Sequence, residues 1–371
     1  MVPSPKSGEH CGKPAPFRTV RLGFTLLELM ASIGILVLLV AVVHQLVSSA
    51  TLSTVSATRL MDSDNQARLI FSKMAEDFAS MYRRADVNYY FQSQSGNDAF
   101  YFYSQAPGHI ASQEVAGTTD ASLNSASLVG YRVSDSVSGG SRVELERLGR
   151  GLRWMDLSAQ AAETGAATSV QHLPSLIKNA FSQVIADVYN NTTNPSTSAS
   201  DTNQWDVIGD QVFRMEFCFL LRDGTFSLKP VLAASTGSNN LEATAAPTTA
   251  ADSSAGYGVG SRWYDTTTQI TYQCTNAAAG AAVWAPQGLA DVKAVVVTLA
   301  LIDTRSRVST GIASIRNAIS SLSDTPAANP GSMQKTWVQK ANDTASLARE
   351  TGLNRTAASS VRVYERFFYL N

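Results

Sequence analysis

Cysteine and histidine are scarce in this chain of 371 residues, which has three of the first and four of the second. No two cysteines have the CxxC spacing and no HExxH sequence occurs, so the common dithiol and zinc motifs are absent. The hydrolase motif GxSxG and the phosphate-binding motif GxxxxGK followed by Ser or Thr are absent as well. The glycine-rich stretch 256–261 has no strand pattern before it and no helix pattern after it. We therefore predict that the protein is not an enzyme and holds no cofactor.

Neither sign of charge is in excess, since 29 Lys and Arg stand against 30 Asp and Glu. A nucleic-acid-binding surface usually needs a basic excess, so we expect no nucleic acid partner. Asp62 and Asp64 lack the glycine and the terminal glutamate of a calcium loop. A loop carrying Asp201, Asp206 and Asp210 could bring three carboxylates around a cation, but no known motif supports it. We therefore predict no metal site.

Charged residues are nearly absent from Phe24 to Val43, where Glu28 is the single formal charge. A helix rises about 1.5 Å per residue, so this run covers the roughly 30 Å hydrocarbon core of a bilayer. We predict a membrane helix over residues 24–47. Arginines precede it at Arg18 and Arg21, and the positive-inside rule places this end in the cytoplasm and the rest of the chain on the far side.

The start of this run resembles the processing signal of type IV pilins and type II secretion pseudopilins. That signal has Gly before the cut, Phe after it and Glu at the fifth mature position, and Gly23, Phe24 and Glu28 match it. The resemblance implies that a prepilin peptidase cuts between Gly23 and Phe24, methylates the Phe24 amine and releases the leader 1–23. It also implies that Glu28 neutralises the amino terminus of a neighbouring pilin or pseudopilin subunit. The plainer interpretation is a carboxylate near the headgroups that favours the helix dipole.

The same resemblance implies a location in the bacterial inner membrane, with the N-terminus in the cytoplasm and the remainder in the periplasm. The leader carries four basic residues and one acidic residue. Its loss changes the formal net charge from −1 to −4, which again gives no reason to expect a nucleic acid partner.

No proline occurs between residues 17 and 106, so nothing forces a break in a long helix. Past the membrane run the pattern becomes amphipathic, and residues 48–86 are predicted to continue the helix to about Arg84. The apolar stripe consists of Ala67, Ile70, Phe71, Met74, Phe78 and Met81. An aliphatic stripe that runs into Asp77, Arg83 and Arg84 resembles the helix of J-type minor pseudopilins and the related W-type minor pilins.

Residues 87–371 are predicted to form a β-rich head. Predicted strands lie at 88–92, 99–103, 127–133, 142–148, 211–221, 290–303 and 361–370, with a turn at 138–141 and helices at 312–322 and, less clearly, 173–188. Short turns favour antiparallel pairing. The sequence thus predicts an α+β fold: a long N-terminal membrane-spanning spine helix packed on an antiparallel β-sheet head, which is the build of pilin-like proteins.

Three finer predictions concern the head. The strand at 211–221 is expected to be half buried, with Arg214, Glu216 and Cys218 on the outer face. The segment 324–346 is polar and is expected to be mobile. Cys218 and Cys274 remain after the leader takes Cys11 away, and an extracytoplasmic domain could pair them in a disulfide.

Residues 233–289 have the character of an insertion. A stretch rich in Ala, Ser, Thr and Gly precedes a predicted hairpin that carries Trp263 and Trp284. One interpretation is a tolerated insertion at a loop tip, and the other is a surface module that binds something.

These patterns predict a minor pseudopilin or pilin-like subunit that assembles into a type II secretion pseudopilus or a type IV pilus-like filament. The alternative is a head displayed on the same membrane helix that binds a surface, a polymer or secreted cargo. A plain single-pass membrane protein or hydrolase is the third hypothesis, and it predicts an intact N-terminus at residue 1. The stretch 150–154 and the ending 363–370 also resemble large pilin-like proteins encoded in verrucomicrobial gene cassettes.

Overall fold

The computed structural model of the chain describes residues 25–85, 87, 89–93, 95–106, 127–135, 142–151, 205–235 and 237–370. The predicted leader, Phe24, the predicted turn at 138–141 and the predicted helix at 173–188 lie outside the described residues. The chain divides into two compact units, Met1–Ala57 and Thr58–Asn371, and each is described by itself.

The described part of the first unit belongs to α1 (Leu26–Ala79), a continuous helix of 54 residues. Its most apolar window of 18 residues has a mean hydropathy of 2.7 and none of it is buried, so α1 is long and apolar enough to cross a membrane. The hydroxyl groups of Ser32 and Thr51 donate to the carbonyl oxygens of Leu29 and Val47 within the same helix. These polar groups are therefore satisfied without water.

The second unit contains three β-sheets within the described ranges. In spatial order, the first sheet consists of β1 (Tyr90–Gln92), β2 (Ala99–Ser104), β3 (Ser127–Asp135), β4 (Val143–Gly151) and β5 (Trp205–Gly209). The second consists of β13 (Arg362–Tyr369), β12 (Val292–Leu301), β6 (Val212–Leu221) and β7 (Phe226–Ser227). The third consists of β11 (Val283–Pro286), β10 (Ile270–Asn276), β9 (Arg262–Asp265) and β8 (Asn240–Ala243).

Neighbouring strands pair antiparallel, as predicted, except that β8 pairs parallel with β9. The predicted strand at the C-terminus is confirmed as β13, which pairs with β12 from Ala294 opposite Tyr369 to Leu301 opposite Arg362. The fold is therefore α+β, with a long apolar N-terminal helix and mainly antiparallel sheets.

From Thr58 onward, α1 buries the apolar stripe that the sequence predicts. The ring of Phe78 stacks on Phe102 of β2, with 4.7 Å between ring centroids, and on Phe368 of β13, with 4.9 Å. This part of α1 thus packs on the first and the second sheet at once, and the main hydrophobic core lies where the three elements meet.

The helix α1 ends at Ala79, earlier than predicted, because the chain then pairs with the end of β2. The backbone N–H of Tyr82 donates to the carbonyl oxygen of Tyr103 (2.8 Å). The backbone N–H of Gln105 donates to the carbonyl oxygen of Ser80 (2.9 Å). The sequence pattern did not reveal this end, since the next apolar side chain of the stripe stays buried in the extended segment.

Five helices follow β12. They are α2 (Thr304–Val308), α3 (Ile312–Ser321), α4 (Met333–Asn342), α5 (Thr344–Thr351) and α6 (Arg355–Ser360). The expectation that 324–346 is mobile was wrong, because α4 and the start of α5 lie there. Met333, Trp337 and Ala341 recur every four residues and form a buried stripe that the polar average of the segment conceals.

The strand β6 is covered on both faces, which corrects the prediction of a half-buried strand. All ten of its residues are buried. Phe213 and Phe217 lie in the main core, whereas Arg214 lies under the ring of Trp337, 5.5 Å from the ring centroid. The polar outer face is therefore enclosed by the segment that the sequence analysis treated as mobile.

The predicted insertion folds as the third sheet, and its predicted hairpin is present as β9, β10 and β11. The disulfide considered for Cys218 and Cys274 is not formed. Cys218 lies on β6 and Cys274 on β10, in different sheets, and both are buried free thiols. Burial and the nearby carboxylates of Glu365, Asp98 and Glu216 raise the pKa of the Cys218 thiol to about 12.

We expect Trp337→Ala to lower the free energy of unfolding by about 3–5 kcal/mol, the usual cost of truncating a buried aromatic side chain. Trp337 is fully buried, and its Nε1 donates to the carbonyl oxygen of Ser323 (2.9 Å). Denaturant unfolding followed by circular dichroism measures the change. The neighbouring Val338→Ala on the same helix, where Val338 is 37% exposed, is the control and should have a much smaller effect.

Candidate functional site

The first turn of α1 carries the predicted assembly residue, Glu28. The side chain of Thr25 caps this turn, because its Oγ1 accepts the backbone N–H of Glu28 (3.2 Å). Thr-x-x-Glu is the spacing of a capping box, so the residues of this turn by themselves favour a helix that starts here. Glu28 itself is exposed, and no ion pair involves it among the described residues. Gly23 and Phe24 lie outside the described residues.

Large apolar side chains surround Glu28 on every face of the helix. Leu26 is 77% exposed and Leu27 is 79% exposed, and the large apolar side chains that follow up to Val47 are exposed too. Such a surface is not stable in water, so it needs lipid or other apolar helices around it. A carboxylate within that surface is costly unless a cation accompanies it.

The last turn of α1 carries Asp77, which is fully buried and binds two side chains of the first sheet. Arg147 on β4 donates from Nε to Asp77 Oδ2 (2.6 Å) and from Nη2 to Oδ1 (2.8 Å). Tyr131 on β3 donates its hydroxyl to Asp77 Oδ2 (2.5 Å). A forked guanidinium and a phenol thus compensate a carboxylate that would be costly to bury alone.

Burial and the neighbouring Asp77 change the pKa values of Arg147 and Tyr131. Burial alone would lower the pKa of Arg147, but the hydrogen bonds and the charge of Asp77 raise it above its ordinary value. Burial raises the pKa of Tyr131, and the charge of Asp77 raises it further. Arg147 therefore stays a cation and Tyr131 a neutral donor at physiological pH.

Arg83 and Arg84, the arginines that follow Asp77 in the layout of the J-type helix, lie past the helix end and are exposed. The observed partner, Arg147, lies 70 positions away. One feature of the sequence points to Arg147 as a buried basic residue. Val143, Leu145 and Arg147 occupy alternate positions of β4 and all three are buried, so a basic residue stands on an otherwise apolar face.

Two further aspartates join α1 to the head. Asp62 Oδ2 accepts a hydrogen bond from Nε2 of Gln211 (2.9 Å). Asp64 Oδ1 accepts a hydrogen bond from the hydroxyl of Tyr364 on β13 (2.5 Å). The sequence analysis examined this pair as an incomplete calcium loop. In the structure the two carboxylates serve as acceptors for side chains of the head.

A second buried charge cluster lies on the outer face of β6. Arg214 Nη2 is 2.6 Å from Asp324 Oδ1 and 3.0 Å from Glu216 Oε1. Glu216 Oε2 accepts the backbone N–H (3.0 Å) and the hydroxyl (2.7 Å) of Thr325. Burial raises the pKa of Glu216, and the charge of Arg214 counteracts that rise. The cluster ties the segment after α3 to the second sheet.

The predicted aromatic hairpin has an internal role in the third sheet. Trp263, Trp284 and Tyr257 contact each other, with ring centroids 5.5–5.7 Å apart, and Trp284 meets the other two rings edge to face. Both indole N–H groups donate to carbonyl oxygens of the Ala-rich loop, at Ala245 (2.8 Å) and Ala251 (3.0 Å). The low-complexity loop therefore binds the two indoles, and the three half-buried rings help to hold this sheet together.

Gln269 at the β9–β10 turn connects the third sheet to the first. Its side-chain Oε1 accepts the backbone N–H of Phe91 (2.7 Å), and its Nε2 donates to the Phe91 carbonyl oxygen (2.8 Å). Gln269 is the one non-glycine residue with positive φ (56°) in the described part of the chain. The turn thus holds Gln269 in a less favourable conformation that lets its amide extend the pairing of β1.

No group of three or more His, Cys, Asp or Glu side chains among the described residues has the geometry to hold a metal ion. His44 lies exposed on α1, and the other histidines lie outside the described ranges, as does Asp201. Asp210 accepts Nε2 of Gln66 (2.5 Å).

Comparisons with protein-family models, with curated proteins and with solved structures found no match to this chain.

We expect Asp77→Asn and Arg147→Met each to destabilise the fold by about 3–5 kcal/mol, because each leaves a buried partner uncompensated. The double variant Asp77→Asn with Arg147→Met should regain part of that loss, since it removes both charges. Denaturant unfolding of the four proteins gives the coupling energy.

Glu76→Ala is the matched control, because Glu76 precedes Asp77 on α1 and its side chain is 65% exposed. It should change stability by less than about 0.5 kcal/mol. If Glu76→Ala and Asp77→Asn lowered the free energy of unfolding equally, the buried cluster would contribute no more to stability than an exposed carboxylate.

Proposed function

We propose that this protein is a pilin-like subunit, of the minor pseudopilin type, that is processed by a prepilin peptidase and assembled into a filament of the type II secretion or type IV pilus class. The leader 1–23 is removed at Gly23, and residues 24–47 of the mature chain span the bacterial inner membrane. The head lies in the periplasm or on a filament that extends outward. Its partners are the peptidase, other pilin or pseudopilin subunits and the inner membrane.

The observation that carries this proposal is the composition of α1 along its length. In the first unit its large apolar side chains are exposed, whereas from Thr58 onward it buries an apolar stripe and the charge of Asp77. A helix of a soluble protein buries its apolar side chains within its own fold. A pilin-like subunit needs both regions, one for the membrane and the filament and one for the head.

The helix start supports the same conclusion. The pattern Gly23-Phe24-Thr25-Leu26-Leu27-Glu28 serves two purposes at once. Thr25 and Glu28 begin the helix as a capping pair, and Glu28 remains exposed among apolar side chains. Cleavage after Gly23 creates an amino terminus close to the helix start, and the corresponding amine of a neighbouring subunit is a cation of the right charge for Glu28.

The alternative function, binding of a surface, a polymer or secreted cargo through the aromatic hairpin, has less support. Both indole N–H groups are already bonded to the Ala-rich loop, and the rings contact one another. Such rings stabilise the third sheet and offer little donor capacity to a ligand.

Processing is tested by the mass and N-terminal sequence of membrane-extracted protein from a host that has the peptidase. We expect a chain that begins with N-methylated Phe24. Gly23→Val should retain the leader, because a branched side chain replaces the small residue before the cut.

The control for this experiment is Gly34→Ala in the same apolar run, where a Cβ would meet nothing within 4 Å. It should be processed normally. A native protein that keeps residues 1–23 in such a host contradicts the proposal.

Glu28→Gln should leave processing intact and lower the amount of protein recovered in sheared filaments at least tenfold. The amide keeps the size of the side chain but removes the charge that pairs with an amine, a loss of about 1.4 kcal/mol or more. Quantitative immunoblots of filament and membrane fractions measure the ratio.

Ser32→Ala, one turn further along α1, is the matched control, because the Ser32 hydroxyl bonds only to its own helix. It should enter filaments like the native chain. Normal entry of Glu28→Gln would refute the charge-pairing role while leaving the processing result unaffected.

A further inference from the structure

A cavity of about 330 Å³ opens between the start of β4, the turn after β5 and the helices α2 and α3. Small-molecule sites usually measure about 300–1,000 Å³, so this cavity has room for one small group. It lies in the second unit and is lined by described residues only. One oxygen of Asp210 in the lining is already bonded, because Oδ1 accepts a hydrogen bond from Nε2 of Gln66 on α1 (2.5 Å).

Charged side chains of both signs line the cavity: Arg142 and Arg307, and Glu144 and Asp210. Nη2 of Arg307 donates to the carbonyl oxygen of Val143, which fixes the guanidinium in place. Nη1 of Arg307 is buried and has no hydrogen-bond partner among the described residues. A buried donor without an acceptor is costly, and a carboxylate is the acceptor that best fits a guanidinium.

The opposite wall of the cavity is apolar and belongs to the α2–α3 connection. It consists of Val308, Ile312 and Ile315, of which Val308 is 84% exposed and Ile315 is buried. The helix α3 starts here, and Gly311 at its N-cap provides no side-chain cap for the first turn. The backbone N–H groups of that turn add partial positive charge on the same side.

A ligand for this cavity has to satisfy three conditions together. It needs one carboxylate for the arginines, a hydrogen-bond donor for Glu144 or Asp210, and an aliphatic part for the wall of Val308 and Ile312. A phosphate or another inorganic polyanion meets only the first condition, because it has neither a nitrogen donor nor an aliphatic part.

We propose that this cavity binds an aliphatic residue through its free α-carboxylate, either as a free amino acid or as the last residue of a polypeptide. The carboxylate lies between Arg142 and Arg307, and the nitrogen of the ligand donates to Glu144 or Asp210. The aliphatic side chain packs on the wall of the α2–α3 connection. This site is independent of the proposed filament role.

Isothermal titration of the detergent-solubilised full-length protein tests the proposal. The probes are L-leucine, the peptide acetyl-Ala-Ala-Leu with a free carboxylate, and the same peptide with a C-terminal amide. We expect saturable binding of leucine, of the acid peptide or of both in the micromolar to millimolar range. The amide peptide should bind at least tenfold more weakly than the acid. The stronger of the first two probes identifies the source of the ligand.

Two variants connect the binding to the cavity. Arg307→Lys, which removes the fork, and Arg142→Gln, at the exposed start of β4, should each weaken binding at least tenfold. Arg305→Lys is the matched control, because Arg305 lies two positions earlier on α2, is exposed and does not line the cavity. Its affinity should equal that of the native chain, and thermal unfolding confirms that each variant is folded.

Three outcomes overturn the proposal. They are the absence of saturable binding for both leucine and the acid peptide, saturable binding of the acid and amide peptides with equal affinity, and unchanged affinity in a folded Arg142→Gln variant.

Discussion

The attachment of α1 to the head depends on one buried charge, the carboxylate of Asp77. It lies fully buried in the last turn of the helix, where the forked guanidinium of Arg147 and the hydroxyl of Tyr131 satisfy it. Apolar packing alone lets a helix slide or rotate along a sheet at modest cost, whereas a bidentate ion pair fixes both position and rotation. The apolar stripe around Phe78 provides the area of contact between α1 and the sheets. Asp77 fixes the position and the rotation of the helix on them.

Polar groups elsewhere in the second unit follow the same rule. Asp62 and Asp64 on α1 accept donors from Gln211 and Tyr364, so the helix is joined to the head at several heights by acceptors that face donors. The third sheet is joined through the amide of Gln269, which mimics a backbone pair with β1. In each case a side chain of one element replaces the water that its partner loses on burial.

Periodicity was enough to predict the main elements of this fold. The long helix and the strands that became β2, β3, β4, β6, β12 and β13 have clear patterns in sequence, and the structure confirms them. The alternation of β4 marks Arg147 as a basic residue on a buried face, but the sequence does not pair it with Asp77, because the two residues are 70 positions apart and meet only through the sheet. The segment 324–346 was misjudged for a related reason. The average composition of this segment is polar. Only the four-residue spacing of apolar residues around Trp337 indicates that one face of the helix is buried.

Asp77 and Glu28 pose the same electrostatic problem at two places on one helix, and of the two only Asp77 has a partner of opposite charge among the described residues. For Asp77, the head supplies a cation and a hydroxyl donor. For Glu28, the described residues nearby on α1 are apolar or neutral, and the large apolar side chains among them are exposed. A carboxylate in apolar surroundings is costly unless a cation accompanies it. In the filament that we propose, the amino termini of neighbouring processed subunits would supply that cation.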